Sequence, residues 1–243
     1  MADLGPVAWP PAPIRTERLV LREPAARDRA AVIELFASPE VGTYLGGPRP
    51  RDELERTVPE VPRRRPGLFV VDLGGAMIGM ITFDRRDAER PGHVRPDAGE
   101  AELGYLFLPR AWGCGYASEA CAAALGWLAG ALPGEPVVLC TQTANASSIR
   151  LAARLGFTEV ERFEEYGAEQ WFGVWSSVAG ADPQPAGGSV LRGVAAASAR
   201  GARAFGSARA QQAPHRPCSA LMVACRRSVP AGVWCPGQEV MLR

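Results

Sequence analysis

Residues 101–120 read Ala-Glu-Leu-Gly-Tyr-Leu-Phe-Leu-Pro-Arg-Ala-Trp-Gly-Cys-Gly-Tyr-Ala-Ser-Glu-Ala, and no other stretch restricts the chain as strongly. Residues 103–108 are almost all apolar or aromatic, the pattern of a strand buried on both faces. Pro109 ends that strand, and a short loop carries Gly113 and Gly115. From Tyr116 to about Ala129 the Ala- and Leu-rich run predicts a helix with Glu119 in its first turn. A strand, a glycine loop and a helix in this order can bind an anion. The first turn of a helix leaves N–H groups unpaired, and the helix dipole places partial positive charge there. Glycines let the backbone approach a ligand closely, and Arg110 adds a full charge. Two glycines one residue apart also occur in plain strand-to-helix turns, so the chemistry alone leaves both readings open. The dinucleotide fingerprint G-x-G-x-x-G is excluded because position 118 is Ser, and a P-loop is excluded because no Gly-Lys-Ser/Thr occurs.

The spacing Arg110-x-x-Gly113-x-Gly115 resembles motif A of the GNAT acyltransferase superfamily, Arg/Gln-x-x-Gly-x-Gly/Ala between the fourth strand and the third helix. The wider string from Gly104 to Ala120 is similar to the branch that contains the ribosomal-protein N-terminal (RimJ/RimL-like) acetyltransferases. The opening Thr16-Glu-Arg-Leu-Val-Leu-Arg22 is similar to it as well. The resemblance implies that the loop N–H groups hold the pyrophosphate of acetyl-CoA. It implies a cofactor site of Phe107, Leu108, Arg110, Gly113, Cys114, Gly115, Tyr116, Ala117 and Asn145. In that site the backbone N–H of Leu108 would polarise the thioester carbonyl, a preorganised oxyanion donor. Direct transfer without an acyl-enzyme is also implied, so Cys114 is not expected to be a nucleophile.

The rest of the chain supplies a compatible order of elements. Ile14–Arg22 alternates over Leu19 and Leu21 and reads as a first strand. A helix is expected over 27–38, closed by Pro39, and a short one over 51–58. Residues 68–73 and 76–83 read as strands joined by Gly74-Gly75, a type I′ hairpin signal. Residues 84–99 read as a polar loop over the active side, and 136–143 as a strand. Asn145 opens a helix that Gly156 closes, and Leu155-Gly-Phe157 resembles the superfamily's motif B. Strands over 157–163 and 170–178 complete an α+β fold, a mixed, mostly antiparallel sheet of about seven strands flanked by helices. The resemblance spans roughly residues 14–178, and the domain is placed at 14–182 behind a loose Pro-rich lead-in over 1–13.

Charge marks the far boundary. Residues 1–182 hold 19 Arg against 25 Asp and Glu, a net of −6, while 183–243 hold 8 Arg and one Glu, a net of +7. That Arg/Ala/Gly-rich tail has no amphipathic period, reads as disordered, and is either a lineage-specific extension or the product of a shifted reading frame. The chain contains no Lys, which fits GC-rich coding and carries no functional reading. No apolar run approaches the ~20 residues of a membrane span, and no signal peptide is evident, so a cytoplasmic location with reduced cysteines is expected. The tail residues His215, Cys218, Cys225 and Cys235 form no C-x-x-C pair, so no metal is expected.

Acetyl transfer to an amine needs a deprotonated amine, a polarised carbonyl and a donor for the leaving thiolate. Many members of the superfamily place a Tyr late in the helix after Asn145. Here that position is Ala152. The Asn-x-x-Ser pattern of the ribosomal-protein branch instead offers Ser148 as the donor, with Ser147 the neighbour that could be confused with it. Asn145 is read both as an N-cap and as a contact to the pantetheine arm. Glu102, at the start of the central strand, is the candidate base through a water, with His93 as an alternative and Glu100 at the same alternation parity. The chain is therefore expected to be an acetyl-CoA-dependent N-acetyltransferase acting on a protein N-terminal α-amine. The alternatives are a small-molecule amine such as an aminoglycoside or polyamine, and a non-catalytic acyl-CoA-binding module. Membrane and nucleic-acid partners are not expected, and a homodimer is left open.

Overall fold

The computed structural model describes Leu4 and residues 7–177. The expected tail over 183–243 lies outside the described residues. One eight-stranded sheet runs in the order β1-β2-β3-β4-β5-β6-β8-β7. These strands are β1 (Ile14–Arg15), β2 (Val20–Arg22), β3 (Leu68–Leu73), β4 (Ala76–Arg85), β5 (Ala101–Phe107), β6 (Val137–Gln142), β7 (Thr158–Glu165) and β8 (Ala168–Trp175). The helices are α1 (Arg29–Ala37), α2 (Pro39–Gly42), α3 (Arg51–Thr57), α4 (Tyr116–Ala131) and α5 (Ala146–Leu155).

The expected α+β sheet is present, with one strand more than anticipated. The first strand breaks into β1 and β2, because Thr16 folds the chain back on itself. Its N–H donates to Leu19 O at 3.0 Å and its Oγ1 accepts from Leu19 N–H at 2.9 Å, so Ile14 pairs antiparallel with Leu21. Pro39 does not simply close the preceding helix. Its fixed φ suits the first helical position, Ser38 Oγ accepts from Val41 N–H, and the short α2 begins there. At the β3–β4 hairpin Gly74 and Gly75 both take positive φ (61° and 93°), as the Gly-Gly pair predicts.

Two cores sandwich the sheet. β3 shows the reason, since all of Leu68–Asp72 is buried: Phe69 and Val71 point to α4, while Leu68 and Val70 point to α1 and α3. The α4 side holds Leu21, Phe83, Leu103, Cys121, Leu125 and Leu128, and the other side holds Ile33, Phe36, Leu54 and Met80. The described part of the Pro-rich lead-in is tied down rather than loose. Trp9 stacks edge-on against Phe69 at 5.0 Å and Trp127 at 5.8 Å, and Leu4 is buried.

β5 departs from the expectation of a strand buried on both faces. Ala101, Leu103 and Phe107 are buried, while Glu102, Gly104 and Leu106 are only partly covered. The uncovered face opens onto a cleft, and that opening positions the candidate site.

Candidate active site

β5 and β6 run parallel but pair only at Ala101↔Val137 and Glu102↔Val138. Beyond that point β6 follows β8, with which it pairs along its whole length, and the sheet forks. Leu103–Phe107 form one wall of the fork and Leu139–Gln142 the other, within a cleft of about 1780 Å3. Leu108 N–H donates to Ile78 O at 2.9 Å, and Arg86 N–H donates to Glu100 O at 2.9 Å. The even-numbered residues of β5 therefore exchange bonds with β4, and the odd-numbered ones turn their N–H and C=O toward the fork. This overturns one expectation. The Leu108 N–H is already bonded and buried, so it is not an oxyanion donor. Phe107 is the residue whose N–H the register aims at the fork. Its C=O accepts from Trp112 Nε1 at 2.7 Å.

The mouth of the fork is the glycine loop. Gly113 and Gly115 hold φ of +73° and +79°, a region that side chains rarely adopt. Gly115 is the N-cap of α4, and the first amide to bond inside the helix is that of Glu119, to Gly115 O at 3.1 Å. The amides of Tyr116, Ala117 and Ser118 precede it and form the orphan first turn. Both glycines and these three residues line the cleft. A Cβ on Gly113 would meet nothing within 4 Å, so the loop presents bare backbone to open space. That is a cradle suited to a phosphate. Cys114 turns away, with its Sγ bonded to Trp112 O at 3.4 Å.

Arg110 does not join this cradle. It leaves the 310 turn of Pro109–Ala111 in the other direction and pairs with Glu34 on α1. Both side chains are about half exposed, and such a pair contributes on the order of 0–1 kcal/mol. The guanidinium at the loop is instead that of Arg18, in the turn between β1 and β2. It donates to Cys114 O at 3.0 Å, pairs with Glu119 at 2.6 Å and lies 4.6 Å over the Tyr116 ring. Sequence inspection missed Arg18, because 96 residues separate it from Cys114.

At the crotch of the fork stands the first turn of α5. Asn145 is its N-cap and lines the cleft, and its Oδ1 accepts from Ser148 N–H at 3.2 Å, a bond that does not engage the side-chain nitrogen. Ser147 is exposed and also lines the cleft, and its Oγ accepts from Arg150 at 3.0 Å. Ser148 Oγ instead reaches across to β5 and is hydrogen-bonded to the phenol of Tyr105. Burial pushes the Tyr105 phenol well above its ordinary pKa, and the Ser148 bond offsets only part of that, so the group stays protonated. Ala152 is fully buried in the core, so α5 offers no hydroxyl there.

The two glutamates of β5 separate cleanly. Glu100 is fully buried and accepts from Val94 N–H, Arg95 N–H and the His93 ring at 2.6, 2.7 and 2.9 Å. His93 is thereby a brace for the 84–99 loop and does not line the cleft. Glu102 does line it, with 20% of its side chain exposed. It pairs with Arg86 at 2.8 Å and Arg90 at 3.2 Å. Arg86 is itself fully buried and also donates to Gly92 O and Pro91 O, so it ties the loop to the site. Burial raises the Asp84 carboxyl at the far end of the cleft above its ordinary range, against the pull of Arg65. Among the described residues no cluster of His, Cys, Asp and Glu is arranged for a metal ion, and no helix is long and apolar enough to cross a membrane.

Comparison with known proteins agrees with this fold. The profile of the family described as Acetyltransferase (GNAT) domain matches residues 18–158. The uncharacterized protein YkkB of Bacillus subtilis (strain 168) is 31% identical over 148 residues, which cover 58% of this chain and 82% of YkkB. The crystal structure of an acetyltransferase from Agrobacterium tumefaciens C58 superposes with a TM-score of 0.52 at 28% identity, covering 68% of this chain and 94% of that one. Two complexes with coenzyme A share the fold. The aminoglycoside acetyltransferase AAC(6′)-Ib does so at TM-score 0.52 and 14% identity, over 65% of this chain and 95% of its own. RimL, a ribosomal L7/L12 α-N-protein acetyltransferase, does so at TM-score 0.52 and 16% identity, over 68% and 98%. With more than half of its length matched by the family profile, the chain belongs to the GNAT acetyltransferase family and is an acetyl-CoA-dependent acyltransferase.

Proposed function

We propose that this enzyme moves acetyl from acetyl-CoA directly to a protein N-terminal α-amine in the forked cleft. The observation that carries the reading is the alignment of three features along one fork. These are the bare glycine cradle at the mouth, the inward N–H of Phe107, and the Ser148 hydroxyl at the crotch. Acetyl-CoA, when bound, supplies an acetyl group activated as a thioester. The first-turn amides of α4, with Gly113 and Gly115, bind its pyrophosphate, and the side-chain amide of Asn145 serves the pantetheine arm. Arg110 contributes only by giving up its surface pair with Glu34. Phe107 N–H takes the oxyanion role expected of Leu108, and Ser148 Oγ–H donates to the sulfur as it acquires charge. Glu102 receives the amine's proton through a water.

The α-amine is favoured by the setting of Glu102. Its carboxylate is shared between two guanidiniums, which leaves little of it open to draw a proton from a strongly basic amine. An α-amine, with a pKa of about 7.7–8.0, is roughly a tenth or more deprotonated at pH 7, whereas a Lys amine at about 10.4 is deprotonated in fewer than about one molecule in a thousand. A small cationic amine is the second reading, favoured by the carboxylates of Glu40, Asp84, Asp87 and Asp97 on the cleft wall. AAC(6′)-Ib and RimL share this fold with different named acceptors, so the fold does not choose between them. Thiol release from acetyl-CoA with peptides bearing free or blocked N-termini, and with aminoglycosides and polyamines, separates the two. Turnover confined to free N-termini supports the proposal, and turnover confined to small amines overturns it. Ser148→Ala should lower kcat by about 100- to 1,000-fold with acetyl-CoA affinity intact, in line with losing one donor to developing charge. An unchanged kcat would remove Ser148 from the mechanism.

A further inference from the structure

Tyr105 stands opposite Ser148 across the fork, on an odd position of β5 whose backbone faces the same opening. Its phenol ends on Ser148 Oγ, and among the described residues no other hydrogen bond is recorded for either hydroxyl. A serine hydroxyl rotates to suit whichever acceptor is near it, so its proton has no fixed direction of its own. A donor placed on the serine oxygen occupies a lone pair and biases that rotor outward. The Ser148 N–H is meanwhile committed to Asn145, which fixes the first turn of α5 on which the hydroxyl rides. That turn also carries the positive end of the helix dipole, which favours charge developing beside it.

We infer that Tyr105 is a positioning residue for the leaving group: its phenol donates to Ser148 Oγ and aims the serine proton into the fork where the thioester sulfur must sit. The inference rests on the proposed role of Ser148. The amine nitrogen's lone pair bonds to the acetyl carbonyl carbon; as the carbon–sulfur bond then breaks, its electron pair stays on sulfur, and the thiolate accepts the Ser148 hydrogen bond. The proton released by the amine leaves through Glu102 to water, and the thiolate takes its own proton from solvent. Tyr105 ends the cycle as it began, protonated. Burial holds its proton in place throughout, so it acts as a fixed donor and not as an acid that is consumed. Alone, the buried phenol carries little weight, but the crossing from strand to helix at the fork gives it a defined object.

A double-mutant cycle on the full chain tests this. Wild type, Tyr105→Phe, Ser148→Ala and the double variant are compared for kcat in thiol release with an amine that wild type turns over, and for coenzyme A affinity. Phe fills the same space, and its thermal midpoint confirms folding. Tyr105→Phe should lower kcat about 5- to 30-fold, with coenzyme A affinity within twofold of wild type. The double variant should be no slower than Ser148→Ala alone, because Tyr105 acts only through that hydroxyl. A Tyr105→Phe kcat within twofold of wild type overturns the inference. So does a double variant slower than Ser148→Ala by the full Tyr105→Phe factor, or a loss expressed in coenzyme A affinity instead of kcat. If Ser148→Ala itself leaves kcat unchanged, the proposed role of Ser148 falls first. If Ser148→Ala is slow and Tyr105→Phe is not, only the inference falls.

Discussion

Glu102, the proposed base, lines the cleft with one-fifth of its side chain exposed. As a base it has to share its oxygens with Arg86 and Arg90. Glu102→Gln keeps one oxygen for the buried Arg86, so the fold should survive. The variant should lose kcat/KM at neutral pH and recover it as pH rises through the pKa of the acceptor amine, because solvent then does the deprotonation. A pH–rate profile parallel to wild type would reduce Glu102 to a brace. At this scale the sequence was readable where backbone conformation decides the outcome. Gly113 and Gly115 announce positive φ through their identity, and Asn145 announces a cap. It was unreadable where a side chain's destination depends on a distant segment. Arg110 turns to Glu34, Arg18 arrives at Cys114, and Tyr105 meets Ser148 43 residues away.

The fork between β5 and β6 is the element that turns a sheet into a site. It opens because β6 stays with β8 after two paired positions with β5, and because α4 and α5 place their first turns along the gap. The 84–99 loop is fastened beside it by Glu100, which accepts two backbone N–H groups and the His93 ring. Burial by itself would raise the Glu100 carboxyl, but those bonds outweigh it and hold it below the ordinary range. A carboxylate depressed in this way stabilises the fold above its unfolded pKa, about 4.3, and loses that contribution as pH falls through its lower folded value. Glu100→Gln should therefore lower the thermal midpoint at pH 7, and its deficit against wild type should shrink below about pH 4. A deficit independent of pH would mean that shape, not charge, ties the loop. Periodicity located these elements to within a few residues. It could not foresee the fork, since parallel pairing and its loss leave no local signature, and it took β5 to be covered on both faces.

At the scale of the whole molecule, the order of strands and helices was legible because alternation, the Gly-Gly hairpin and the helix caps all pointed the same way. The lead-in was misjudged. Prolines suggested a loose segment, yet Trp9 carries enough apolar surface to close an aromatic cluster with Phe69 and Trp127. We propose that the cleft works as a unit and holds acetyl-CoA by its bare glycine cradle. The decisive measurement is the thermal midpoint of the full chain, wild type and Gly113→Asp, with and without acetyl-CoA. Asp is among the residues that best tolerate a positive φ, and an added Cβ meets nothing within 4 Å, so the variant carries backbone strain without a clash, and its midpoint without ligand checks that it folds. It puts negative charge where the pyrophosphate is expected. At about 100 times Kd a ligand stabilises by about 2.7 kcal/mol, a rise of roughly 5–10 °C for a chain this size. Wild type should show that rise and Gly113→Asp should lose most of it; no rise in wild type, or an equal rise in both, would contradict the account.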